Sequence, residues 1–212
     1  MKSRVLPAGE SLSIAIATNI LRDGGLVAYP TDTLYGLGAH GWQPEAVARV
    51  FAAKGRTPDR PLPLLLARSE DMVEVAKAIP IAAWRLAAVF WPGALTLVLP
   101  KGPRVPAVVT AGGPSVAVRV PNHPVTLALI RAVGAPIAGT SANRSGGPAP
   151  ITAEDVLAQL GGRIEAVLDG GRCPGGVESS VLDLSGEHPR LLRLGAIDVA
   201  ALEDVLELPI AT

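Results

Sequence analysis

The sequence holds one cysteine, Cys173, among 212 residues. An intramolecular disulfide is excluded, and a thiolate-built metal cluster has no basis. The three histidines, His40, His123 and His188, lie far apart and make no H-x-x-x-H spacing, so no imidazole metal site is written locally. Aromatic residues make up only 3% against 49% apolar residues overall; the core must be built from Val, Leu, Ile and Ala. Net charge is zero, so bulk electrostatics draws the chain neither to nucleic acid nor to a membrane. Any basic site is local. The N-terminal "MKSRVLPAGESLS" lacks the apolar run of a signal peptide. No apolar stretch reaches bilayer length without charge, Pro or Gly. The chain reads as soluble and cytoplasmic.

Two chemical motifs are missing as well. No G-x-x-x-x-G-K-[ST] occurs, which excludes a P-loop, and no G-x-S-x-G occurs, which excludes that nucleophile elbow. "GLGAHG", residues 36–41, does match G-x-G-x-x-G. A dinucleotide fold needs those glycines in the turn leaving a strand, and an acid at a second strand end. Here "TDTLYG" lies between the strand end at Pro30 and the second residue of the pattern, and the acid at the right distance is Asp59, inside a basic loop. The match is a decoy. Cys173 in "GRCPGG" has no evident base beside it and reads as a turn residue.

What is present alternates helix and strand signals. "QPEAVARVFAAKG" is a helix with Pro44 early and Gly55 just past its end. "TAEDVLAQLGG" opens on Thr152 with Asp155 three residues on, a capping pair. Strands are expected at "LVAYP", "LPLLLA", "ALTLVLP", "SVAVRVP", "PIAGTSA", "EAVLDGG", "SSVLDLS" and "RLLRLG". A proline near the start of "LPLLLA" points to a sheet edge or a strand beginning. Helices are expected near 11–23, over "SEDMVEVAKAI" and on through "IAAWRLAAVF", over "PVTLALIRAVG" and over "DVAALEDVLEL". The order is not strictly βαβ, so the expectation is a single α/β domain around one open, twisted, mixed sheet.

Four polar clusters fall at expected strand ends or in the loops after them. They are "YPTDTLYGLG", the loop "KGRTPDRP", "SVAVRVPNH" and "TSANRSGGPAP", the last followed downstream by "CPGGVESSV". Each has a plain explanation alone. "TDT" makes an Asx-type turn, three cations make a solvated loop, and Arg119 snorkels from a polar strand face. Together, cations, hydroxyls and an amide without interleaved acids suit a phosphate-rich ligand. That reading reaches a polyanion or nucleotide and stops.

"YPTDTLYGLG", "KGRTPDRPLPLLL", "WPGALTLVL", "SVAVRVPNHP", "TSANRSGGPAP", "ESSVLDL" and "LLRLGAI", in this order, resemble the YrdC-like family of L-threonylcarbamoyladenylate synthases, in their short single-domain form. The likeness runs from about Ser11 to Ile197. The family pairs K-x-R with a later S-x-N, and both are intact as Lys54-Gly55-Arg56 and Ser141-Ala142-Asn143. The resemblance implies a catalytic domain over 11–197 with a helical tail over 198–212, and a concave, positively lined cavity. It implies that L-threonine, bicarbonate and ATP, with Mg²⁺, give threonylcarbamoyl-AMP and pyrophosphate. A separate complex would then transfer the threonylcarbamoyl group to the adenosine beside the anticodon of tRNA.

The resemblance also implies roles. Lys54, Arg56, Ser141 and Asn143 are catalytic. Lys54, Arg56 and Arg60 contact the ATP phosphates, and Ser115, Thr140, Ser141, Asn143 and Arg193 complete the nucleotide site, with Pro148 lining the adenine pocket. Thr33, Arg119 and Ser179 hold threonine, Arg119 facing its carboxylate. No protein side chain is assigned to the metal. Three positions depart from the family: Leu65, beside the threonine site, replaces a histidine common in relatives; Leu194 replaces a proline; and position 60 is Arg. Two other readings remain: an RNA-binding module of the same fold, which zero net charge disfavours, and a carbamoyl-adenylate-forming domain as in hydrogenase maturation proteins, which a single cysteine disfavours.

Overall fold

The Val-, Leu- and Ala-rich runs meet, in a computed structural model, as one ten-stranded sheet with helices on both faces. The structure describes residues 2–174 and 176–211. Strands are β1 Arg4–Pro7, β2 Val27–Tyr29, β3 Gly36–His40, β4 Leu64–Leu65, β5 Leu95–Pro100, β6 Ser115–Arg119, β7 Ile137–Ser141, β8 Ala166–Asp169, β9 Ser180–Asp183 and β10 Arg190–Arg193. Helices are α1 Ser11–Arg22, α2 Pro44–Lys54, α3 Met72–Val75, α4 Ile81–Phe90, α5 Pro124–Val133, α6 Ala153–Leu160 and α7 Val199–Leu206. The sheet runs β1-β8-β2-β3-β7-β4-β6-β5-β9-β10. It contains both parallel and antiparallel pairs, as the expected mixed sheet requires.

The two faces are covered unequally. On one, buried residues of α2, α3, α4, α6 and α7 pack on Leu64, Leu95, Leu97, Leu99, Val116, Val118 and Leu182. Leu202 and Leu206 of α7 belong to this core, so the C-terminal segment is packed with the rest. On the other face only α1 and α5 form a cover, over Val27, Ile137, Ala166 and Leu168. The strands beyond them, β6, β5 and β9, turn Ala117, Arg119, Thr96, Val98 and Val181 toward an open concavity. Strand alternation therefore sends apolar residues to the core and leaves the other set free to line a site.

Several local expectations needed correction. Strands β1 and β3 were not expected; β3 is the glycine-rich "GLGAH" that reads as a loop. β4 begins after prolines, as expected, but is no edge strand, lying between β7 and β6. It is only two residues long. The main-chain carbonyl of Pro63 still accepts the N–H of Gly139, and the missing proline N–H falls just outside the ladder. The helix expected over 69–79 shrinks to a 3-10 turn, Ser69–Asp71, and one turn of α3. Ala76 leaves it in extended backbone and bridges Lys101, while Lys77 donates to Pro100 O. Sheet pairing there outweighs helix propensity. No helix among the described residues is long and apolar enough to cross a membrane.

Candidate functional site

Helix α2 delivers the first wall. Its end is fixed by Gly55, which adopts φ 65° and so closes the helix in the left-handed region. Arg56 N–H reaches back to Phe51 O at 3.0 Å. Lys54 is the last helical residue and is only 4% exposed. Its ammonium donates to Ser141 O, to Asn143 O at 2.6 Å and to Asn143 Oδ1 at 3.0 Å. Ser141 Oγ donates to the same Oδ1 at 2.7 Å, and Asn143 Nδ2 donates to Gly147 O at 2.8 Å. All three ammonium protons are thus engaged within the protein. Lys54 clamps the S-x-N loop to α2, where the resemblance gave it a phosphate contact.

Arg56 is different. Its Nε is buried and has no partner. Burial, then the charge of Arg60, holds its pKa below the usual guanidinium value. Arg60 lines the same wall. Asp59 does not neutralise it at close range, because its carboxylate accepts from Thr57 Oγ1. Burial first, then Arg56, pushes the Lys54 ammonium down to about 8.

That shift has two opposite consequences. An unfolded lysine keeps its proton to about 10.4, so between about 8 and that value the unfolded chain binds more protons and this group stabilises the native state as pH rises. Phosphate binding, in contrast, favours the ammonium. We expect affinity for inorganic tripolyphosphate to fall as pH rises through about 8, because arginines do not titrate there. Calorimetry from pH 7 to about 9.5 checks this; a flat profile would show that Lys54 holds its proton throughout.

The opposite end of the concavity is built on Arg119. Alternation in β6 sends Val116 and Val118 to the core and Ala117 and Arg119 to the site. Arg119 does not snorkel. It is 8% exposed and donates to Gly93 O at 2.9 Å, Thr33 Oγ1 at 3.2 Å and Asp32 Oδ1 at 2.7 Å. Burial lowers its pKa, and Asp32 opposes that shift. The turn at "TDT" is made by the Thr31 hydroxyl, which accepts from Thr33 N–H at 3.0 Å and Leu34 N–H at 3.2 Å. This corrects the Asx-type turn and leaves Asp32 free for Arg119. Next to Arg119, Thr96 Oγ1 and Ser179 Oγ share a hydrogen bond of 2.8 Å. Arg193 donates to Ser179 O at 3.0 Å, to Ser179 Oγ at 3.2 Å and to Glu178 Oε2 at 2.5 Å.

The floor between these walls is largely backbone. Gly36 and Gly139 line the cavity with Tyr29 beneath them. A Cβ at Gly36 would lie 2.6 Å from the Tyr29 ring, and one at Gly38 or Gly139 would lie 2.7 or 2.5 Å from its hydroxyl. Only glycine lets the ring lie flat under β3 and β7. The cavity volume is about 760 Å³, within the range of small-molecule sites.

Thr33, Lys54, Arg56, Arg60, Leu65, Arg119, Thr140, Ser141, Asn143, Ser179 and Arg193 all line this one cavity. Ser115 and Pro148 are not among its lining residues; Ser115 pairs with Pro100 at the start of β6, and Pro148 is exposed, its carbonyl accepting from Gln159. Sequence reasoning missed Thr96, Glu178 and Tyr29. Thr96 carried a signal, a hydroxyl in the otherwise apolar "ALTLVLP"; Glu178 and Tyr29 carried none.

Residues 19–195 match the family model Sua5/YciO/YrdC, described as "Telomere recombination". The chain belongs to the Sua5/YciO/YrdC family. It is 48% identical over 197 residues to the threonylcarbamoyl-AMP synthase of Pyrococcus abyssi, covering 93% of this chain and 58% of that protein. It is 46% identical to the threonylcarbamoyl-AMP synthase of Bacillus subtilis, over 91% of this chain and 56% of that one. The chain thus spans somewhat over half the length of these two relatives. The structure of Pyrococcus abyssi Sua5 complexed with L-threonine superposes with a TM-score of 0.95 at 44% identity, over the whole of this chain and 63% of the other. The expected open α/β sheet of a YrdC-like domain is the fold observed.

Proposed function

We propose that this chain is an L-threonylcarbamoyladenylate synthase, forming threonylcarbamoyl-AMP and pyrophosphate from L-threonine, bicarbonate and ATP. The observation that carries the reading is one cavity that joins the cations of Arg56 and Arg60 to a buried arginine with donors to spare. Arg56 and Arg60 supply charge for a triphosphate. A guanidinium has five N–H donors; Arg119 uses three on protein oxygens, leaving two for the threonine carboxylate. Thr33, Thr96 and Ser179 set hydroxyls around the same end.

The chemistry asks for positioning and charge. The threonine amine adds to CO2 drawn from bicarbonate and loses a proton, giving a carbamate. A carbamate oxygen attacks the α-phosphorus, and the bond to pyrophosphate breaks. Negative charge grows on phosphoryl oxygens, which fixed cations stabilise. No protein nucleophile is needed. A Mg²⁺ held mainly by phosphate oxygens would screen their charge. We further propose that the product feeds a separate complex modifying the tRNA adenosine next to the anticodon.

The test is pyrophosphate release with each of threonine, bicarbonate and Mg-ATP omitted in turn. Release should need all three; equal release without threonine would sink the reading. Arg56→Ala should lower kcat/KM by about a hundredfold or more, while the melting temperature stays within about 2 °C or rises, because a half-buried cation whose Nε has no partner has been removed. Thermal melting beside steady-state assay separates the two effects.

A further inference from the structure

Among the described residues, two carboxylates, Asp59 and Glu178, line a cavity otherwise rich in cations. Asp59 accepts the Thr57 hydroxyl on Oδ1 and sits, exposed, in the loop with Arg56 and Arg60, whose charges bear on it. Glu178 instead faces the site and is bound to Arg193, Oε2 to Nη1 at 2.5 Å, with both side chains about half exposed. Its charge is also felt by Lys54 across the cavity.

The backbone under this pair is fixed. Ala196 N–H donates to Glu178 O at 3.0 Å, and Gly195 packs so tightly that a Cβ there would lie 2.4 Å from the same oxygen. Ser180 Oγ accepts from Gly195 N–H and Ile197 N–H, each at 3.0 Å. Strand β9 and the turn after β10 are stapled together, so Glu178 and Arg193 can exchange partners by side-chain rotation alone. A half-exposed ion pair is weak and readily exchanged.

Charge then dictates a sequence of contacts, on the reading that the site binds ATP. Polyphosphate oxygens compete with Glu178 for Arg193. Once Arg193 turns to phosphate, Glu178 is an unpaired anion beside a polyanion. That arrangement is repulsive unless a cation lies between them. A small divalent cation suits the gap, since Mg²⁺ takes one or two carboxylates together with substrate phosphates and water. We propose that Glu178 is the protein's carboxylate ligand to the divalent cation that arrives with the nucleotide, held by Arg193 until the phosphates bind.

The test is ATP binding by calorimetry, with and without Mg²⁺ and with threonine and bicarbonate absent. For the unaltered protein, Mg²⁺ should tighten ATP about tenfold or more. In Glu178→Gln, metal-free ATP should bind several-fold tighter, because repulsion is removed and Arg193 is released. The gain from Mg²⁺ should shrink to less than about threefold. Glu178→Asp, which keeps the charge but withdraws it, should retain weak metal-free binding and lose part of the gain. An unchanged Mg²⁺ gain in Glu178→Gln overturns the assignment while leaving the nucleotide site standing. Failure of the unaltered protein to bind ATP at all overturns both.

Discussion

Replacing Lys54 with Met should abolish activity and also weaken the fold, unlike the loss of Arg56. The side chains are similar in length, but Ser141 O and Asn143 O lose the ammonium donor, and Asn143 Oδ1 keeps only the Ser141 hydroxyl. Buried acceptors left without a partner cost about 1–3 kcal/mol each, less where the loop can turn them to water. We expect a loss of about 2–4 kcal/mol, which for a chain of this size lowers the melting temperature by about 5–15 °C. Activity should fall by about a thousandfold, because the freed S-x-N loop no longer presents Ser141 and Asn143 in one geometry. Circular-dichroism melts with the pyrophosphate assay give both numbers. If Lys54→Met melts like the unaltered protein, the clamp is not structural and the ammonium acts on ligand directly.

The second large effect concerns Arg119. Arg119→Leu should lower threonine affinity by about a hundredfold, the worth of a charge-assisted bidentate contact, while ATP affinity stays within about threefold. The same change removes the main partner of Asp32, whose side chain is 14% exposed. Asp32 would keep only the Asn122 N–H at 3.0 Å. Leaving a buried carboxylate unpaired costs about 3–5 kcal/mol. The single variant should therefore melt well below the unaltered protein. Adding Asp32→Asn removes the stranded charge and should restore most of that stability without restoring threonine binding. Melting and separate titrations of the two ligands distinguish these outcomes. Should the double variant recover threonine affinity, Arg119 serves the fold and not the amino acid.

The local rules were readable wherever a signal and its consequence lie a few residues apart. Pro44 and Gly55 bracket α2, Thr152 and Asp155 form their capping box, and alternation in β6 divides valines from Arg119. The gathering of K-x-R, S-x-N, Arg119 and Ser179 at one concavity was also legible, through the resemblance. What each side chain does there was not. Lys54 and Asn143 meet because β7 is anchored beside α2, and Asp32 meets Arg119 across 87 residues. Such pairings depend on strand order, which crossovers set and periodicity does not record. β4 looked marginal for the same reason: two residues with prolines before them carry little propensity, yet both neighbours pair with them. Glu178 was invisible because a lone acid in a glycine-rich loop resembles solvated surface.

The glycine seam over Tyr29 bears on how such a site can diverge. A floor made of main chain offers mutation nothing to exchange, since a side chain at position 36 strikes the Tyr29 ring and one at 139 strikes its hydroxyl. Single-codon steps there are closed. Substrate preference can drift only through the walls, at Leu65, Thr96, Val98, Ala117 and Val181. Leu65, an apolar side chain on such a wall, is then one instance of the kind of position this architecture leaves open to change: a lineage inherits the depth of its binding site and edits the sides.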